Sequence, residues 1–175
     1  MPKMQNMPLW RFLFAAAVML AANIPSLVNA QTVEQIRIIK SIPDATAMTY
    51  DAGHGTQIEY TSADGKTYLW YPGNTRIVPG RYKIDNMTLP LDSRPNSPMV
   101  SLAAMCFRYG ANSHNPATGR KGGDWECLPL SIYADRRREV RKGDIFGLSG
   151  RQSVPFKLDK KKTSLSLLLK KCKDC

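Results

Sequence analysis

Polar and apolar residues alternate with a period of two through Gln57 to Thr61, which puts Ile58 and Tyr60 on one face and Gln57 and Glu59 on the other. Ser62-Ala63-Asp64-Gly65 follows, and Asp-Gly between two such runs predicts a hairpin turn. Lys66 to Tyr71 is the return strand, with Tyr68 and Trp70 on one face and Leu69 and Tyr71 on the other. Pro72-Gly73-Asn74 ends it. Thr75 to Val78 reads as a short third strand, Pro79-Gly80 as a turn, and Arg81 to Ile84 as a fourth strand with Tyr82 and Ile84 together. Pro-Gly pairs recur too closely for a helix. The aromatic set Tyr60, Tyr68, Trp70, Tyr71 and Tyr82 is expected as core and cross-strand packing, in preference to a sugar or lipid face.

Around this meander the pattern is less regular. Thr32 to Ile39 suits a short helix, and Pro43 to Thr49 a loop that leads through Asp51-Ala52-Gly53-His54-Gly55 into the first strand. Asn86 to Pro98, with three prolines, is expected as a loop; within it, Asn86-Met87-Thr88 matches a glycosylation acceptor of a eukaryotic secretory route. Met99 to Tyr109 reads as a buried strand, and Asp124 to Tyr133 as another, with Trp125, Cys127 and Leu130 toward the core. Pro129 marks that second strand as an edge or a bulge. Ile145 to Leu148 and Val154 to Leu158 are short-strand candidates. Ser164 to Lys171 predicts a terminal helix capped near Ser164, and a strand with Leu165, Leu167 and Leu169 on one face competes with it. The fold expected is mainly β: one antiparallel curved sheet or small barrel, with an N-terminal signal helix and one or two short helices.

The first thirty residues read as a secretory signal peptide. Lys3 and Arg11 give a positive start, Phe12 to Ala22 is an apolar run too short to span a bilayer comfortably, Pro25 is expected to break the helix, and Val28-Asn29-Ala30 offers a cleavage site after Ala30. Residues 31–158 are then a β-rich domain and 159–175 a basic tail with a short helix. No later segment reads as a membrane span, so the expected location is periplasmic or secreted.

Export changes the reading of the cysteines. Cys106 and Cys127 lie on two arms of one strand–loop–strand unit and are expected to form a disulfide in an oxidising compartment. Four cysteines allow three pairings, so sequence leaves the connectivity open. Cys172-Lys173-Asp174-Cys175 is a CxxC without the following helix that lowers a thiolate pKa in redox enzymes; a local tail disulfide, or pairing to another chain, fits better.

Candidate chemistry is sparse. The chain has two histidines, His54 near Asp51 and His114 in a Gly/Asn/Pro-rich loop. A hydrolase or metal-dependent enzyme would need these three to converge, and no metal-ligand spacing is present. No catalytic residue, metal or cofactor is assigned, and His54 is expected as an exposed turn residue.

Charge is the strongest functional signal. The chain carries a net +11. Residues 31–132 are nearly balanced, whereas 133–175 hold thirteen basic residues against five acidic ones. The basicity therefore belongs to the C-terminal quarter. Arg136, Arg137, Arg138, Arg141 and Lys142, with Lys160, Lys161 and Lys162, are the candidates for an anionic envelope partner such as phospholipid head groups, lipopolysaccharide or acidic glycan. A solvated face that keeps the domain soluble is the alternative. An export signal and no recognisable nucleic-acid module argue against nucleic acid. A protein-interaction or inhibitor-like module using Trp70 or Tyr71 is the third reading.

The series GTQIEY, DGKTYLWYPGN and PGRY, then CFRYG and GGDWEC, resembles small exported alphaproteobacterial proteins of unknown function over about Gly55 to Leu148. The resemblance implies a periplasmic or secreted β-rich domain with a Cys106–Cys127 pair. It implies no catalytic residue and does not extend to Cys172 and Cys175.

Overall fold

The computed structural model describes residues 24–115 and 119–175. Most of the signal-peptide reading thus lies outside the described residues. The chain divides into two compact units, Met1–Arg37 and Ile38–Cys175. Helix α1, Ile24–Lys40, contains the helix expected over Thr32 to Ile39. The break expected at Pro25 concerns the helix of the Phe12 to Ala22 run, which lies outside the described residues; in α1 Pro25 sits in the first turn, where no backbone donor is needed and its fixed φ suits a helix start. In the first unit, Glu34 and Arg37 pair at 3.0 Å across one turn. In the second, Ser41 donates from its backbone N–H and from Oγ to the Ile38 carbonyl, closing the helix end.

Seven strands form one antiparallel sheet: β1 Ala45–Asp51, β2 Gly55–Thr61, β3 Lys66–Trp70, β4 Val78–Pro90, β5 Met99–Tyr109, β6 Glu126–Pro129 and β7 Arg137–Lys142. Their spatial order is β6-β5-β4-β3-β2-β1-β7. The first six make a meander, and β7 returns to pair with β1 at the far edge. Helix α2, Leu130–Arg136, is the only link between β6 and β7. Seven helical residues span about 10 Å, whereas six strand spacings laid flat span about 29 Å. The sheet therefore has to curl until α2 can bridge its two edges, and the expected curved sheet is observed as a half-barrel.

Each face of the curled sheet carries its own core. The face of Ile58 and Trp70 is covered by residues after β7: Phe146, Leu148, Leu158 and, from helix α3 (Leu165–Lys171), Leu165 and Leu168. Trp70 is fully buried, meets Phe146 and Phe156 edge-on, and donates from Nε1 to the Phe156 carbonyl at 3.1 Å. Of the aromatics expected as packing residues, Tyr60, Tyr68, Trp70 and Tyr82 pack in the two cores, with Tyr60 stacked on Tyr68, whereas Tyr71 belongs to neither. The opposite, concave face gathers Ile42, Met105, Leu130 and Tyr133, with Ile38, Tyr82 and Phe107 against them. Residues 159–175 are thus part of the folded unit and supply core leucines.

Several expected elements differ. Pro43 to Thr49 is not a loop: most of it is β1, whose residues 45 to 48 are all buried because both faces of the sheet are covered there. Such a strand shows no alternation. Pro79-Gly80 is not a turn but lies inside β4, opposite Tyr68 and Thr67, and the expected third strand at Thr75 to Val78 is reduced to a bridge between Arg76 and Ser153. β4 continues to Pro90, so the loop expected from Asn86 begins only at Leu91. β5 is a strand as expected, but Met99, Ser101 and Leu102 at its start are exposed. The strand expected over Asp124 to Tyr133 stops at Pro129, on the edge strand β6, and turns into α2. Trp125 lies between Lys83 and Arg108, about 5 Å from each cation, rather than in the core. Ile145 to Leu148 and Val154 to Leu158 are not strands; they are irregular segments that press Phe146, Leu148 and Leu158 onto the sheet. The terminal helix is capped as expected, the Ser164 Oγ accepting from the Leu167 N–H at 3.2 Å.

Candidate functional site

On the concave face, Tyr109 of β5 donates from its hydroxyl to Glu59 Oε1 of β2 at 2.5 Å, and Thr67 of β3 donates to the same oxygen at 2.6 Å. Tyr109 can lie across β4 because Gly80 has no side chain. A Cβ at Gly80 would stand 2.7 Å from Tyr109 Cδ1 and 2.8 Å from the Arg108 carbonyl. Burial pushes the Glu59 carboxyl above its ordinary pKa; the two hydroxyl donors oppose that shift without cancelling it. Burial and the facing Glu59 charge push the Tyr109 phenol well up as well.

Beside this pair stands the β1–β2 turn. Asp51 Oδ1 accepts the backbone N–H groups of Gly53 and His54 at 2.9 and 2.8 Å, an arrangement Asp favours in turns. His54 Nδ1 faces the same carboxylate at 2.8 Å, and Nε2 faces Asn115 Oδ1 at 3.1 Å. Burial raises the Asp51 pKa, but the N–H donors and the imidazole outweigh it and hold the group below its ordinary value. His54 is half-buried rather than an exposed turn residue, because the β5–β6 loop reaches it through Asn115. Gly55 follows at φ +80°, and a Cβ there would meet the Lys160 backbone at 2.5 Å. The glycine is required both by the turn and by the returning chain.

Between the His54 turn, the ends of β2 to β6 and the β5–β6 loop lies a cavity of about 90 Å³. Leu69, Tyr71, Val78 and Tyr109 line its sheet side; His54, His114, Arg120, Lys121 and Glu126 are the titratable residues of its remaining lining. The Tyr71 hydroxyl donates to the His114 carbonyl at 3.4 Å, closing one wall. The fold thus brings the two histidines to one cavity, which sequence spacing did not indicate. Both ring nitrogens of His54 are already engaged, and among the described residues no group of three His, Cys, Asp or Glu could hold a metal. Sequence reasoning missed the remaining lining. Its signals were the inward parity of Gln57 and Leu69 and the basic pair Arg120-Lys121, which only a curled sheet makes neighbours.

The expected cations fall into two groups. Arg136 ends α2, and Arg137, Arg138, Arg141 and Lys142 lie on β7, whose outer edge pairs with no described strand. Arg137 is partly buried: it donates to Ser41 Oγ at 2.9 Å and lies over the Tyr133 ring at 5.1 Å. The other seven are exposed. Arg141 reaches Ser166 at 3.3 Å, Lys160 donates to the Gly53 carbonyl at 3.0 Å, and Lys162 sits over the Tyr50 ring at 5.0 Å. None of the seven forms a salt bridge with a described residue.

Both disulfides are formed. Cys106 and Cys127 face each other directly across β5 and β6 with Cα atoms 4.0 Å apart, and Cys172 joins Cys175 just after α3. Among the described residues no helix is long and apolar enough to cross a membrane. No protein-family model, curated protein or solved structure matches the chain.

Proposed function

We propose that this is an exported, non-enzymatic, disulfide-stabilised β domain of the cell envelope, which binds an anionic surface through its C-terminal cations. The observation that carries the reading is the set of seven exposed basic side chains with no carboxylate partner among the described residues, on α2, β7 and the crossing at residues 160–162. Within each of the two groups the cations are close in sequence and not neutralised locally, and such clusters attract counter-charge collectively. Arg137 is excluded from this role, since its guanidinium is committed to Ser41 and Tyr133. A charged edge strand also resists pairing with other chains, so β7 serves solubility in the same stroke.

The test is co-sedimentation with phosphatidylglycerol vesicles and with phosphatidylcholine vesicles. Binding to the anionic vesicles alone is expected, and it should fall as salt rises through about 0.1 M, where the Debye length is about 10 Å. The combined variant Arg138→Glu, Arg141→Glu and Lys161→Glu should abolish it with the fold intact by circular dichroism. Equal binding to neutral vesicles, or binding indifferent to salt, would overturn the reading.

A further inference from the structure

We infer that the cavity at the mouth of the curled sheet is a binding site for a small organic monoanion with an apolar body. Its volume of about 90 Å³ has room for roughly six to nine water-sized groups. That suits a molecule of amino-acid size. The sheet side of the cavity is Leu69 and Val78 with the rings of Tyr71 and Tyr109, a surface that water solvates poorly and a flat or branched hydrocarbon body covers well. The loop side carries Arg120 and Lys121 against the single carboxylate of Glu126, so the lining is net positive even with both imidazoles neutral. Walls of low dielectric strengthen that preference. Glu126 weighs against a second negative charge on the ligand.

The described residues of the loop are tied to one another. The Gly122 N–H donates to the Ser113 carbonyl at 2.9 Å, the Asn115 N–H to the Arg120 carbonyl at 2.9 Å, and His114 forms a bridge with Lys121. Gly122 packs so closely that a Cβ would stand 2.2 Å from Ser113 Oγ. Asn115 is tied in turn to His54.

The experiment is a titration of the isotope-labelled protein with benzoate, followed by amide chemical shifts. Benzyl alcohol and benzylamine serve as neutral and cationic analogues of similar shape. Benzoate should saturate in the millimolar range with shifts centred on residues 113–115, 120–122 and the adjoining strand ends. Benzyl alcohol should bind about tenfold more weakly, a discrimination of the size one charge contact supplies. Lys121→Glu, at an exposed position, should remove the preference for benzoate over benzylamine. Leu69→Phe, which fills the floor, should remove binding of all three while the spectrum stays folded. Shifts that never saturate, equal affinity for benzoate and benzyl alcohol, or an unchanged preference in Lys121→Glu would each overturn the assignment.

Discussion

Tyr109 and Glu59, fifty positions apart in the chain, are joined by a 2.5 Å hydrogen bond across the concave face. Their strands are separated by β4 and β3, a distance of about 14 Å in a flat sheet. Curvature shortens that gap on the inner side, and the missing side chain of Gly80 opens the path for the ring. The bond is thus a readout of the curl itself.

Gly80→Ala should be costly for this reason. The added carbon would meet the Tyr109 ring and the Arg108 carbonyl inside 3 Å, and overpacking of this kind destabilises by about 1–3 kcal/mol. Tyr109→Phe keeps the ring and leaves Glu59 with Thr67 as its remaining side-chain donor, at a cost of about 1–3 kcal/mol. Urea denaturation of both variants checks the pair. Wild-type stability in Gly80→Ala would show that the ring does not cross β4.

The raised pKa of Glu59 gives a pH dependence of definite sign. A carboxyl that holds its proton more tightly when folded costs nothing at low pH, where both states are protonated. As pH rises past the ordinary value of 4.5, the unfolded chain ionises first and stability falls. The loss is complete once pH exceeds the folded-state pKa. Glu59→Gln keeps an oxygen for Tyr109 and Thr67 but does not titrate, so its stability relative to wild type should rise across this window. Denaturation of both proteins between about pH 4 and pH 8 measures the difference, and a flat difference curve would count against a buried carboxyl here.

The two disulfides should contribute unequally. Cys106–Cys127 closes a separation of 21 residues and should stabilise by about 3 kcal/mol, whereas a bridge over three residues constrains the unfolded chain little. Cys106→Ser with Cys127→Ser should therefore lower the melting temperature by many degrees, and Cys172→Ser with Cys175→Ser by few. Comparable losses in the two double variants would contradict this assignment of roles.

The sequence by itself determined the elements whose signals are local. The Asp64-Gly65 hairpin, the parity of Ile58 and Trp70 against Glu59 and Leu69, and the Ser164 cap all follow from short-range chemistry, and each stands in the fold; the sequence offered the Cys106–Cys127 pairing among three, and the fold formed it. Only the tertiary structure decided the rest. β1 was hidden because a strand covered on both faces shows no alternation, and its small Ala and Thr residues look like a loop. Pro79-Gly80 reads as a turn in any window, yet β4 runs through it because β3 and β5 pair with it on both sides, and Gly80 fits there because Thr67 and the ring of Tyr109 occupy the space a side chain would need. The cavity depends on strands that meet only when the sheet curls, and the curl is imposed by the short helix α2 between its edges. Those are long-range constraints of length and space, and a linear pattern carries no record of them.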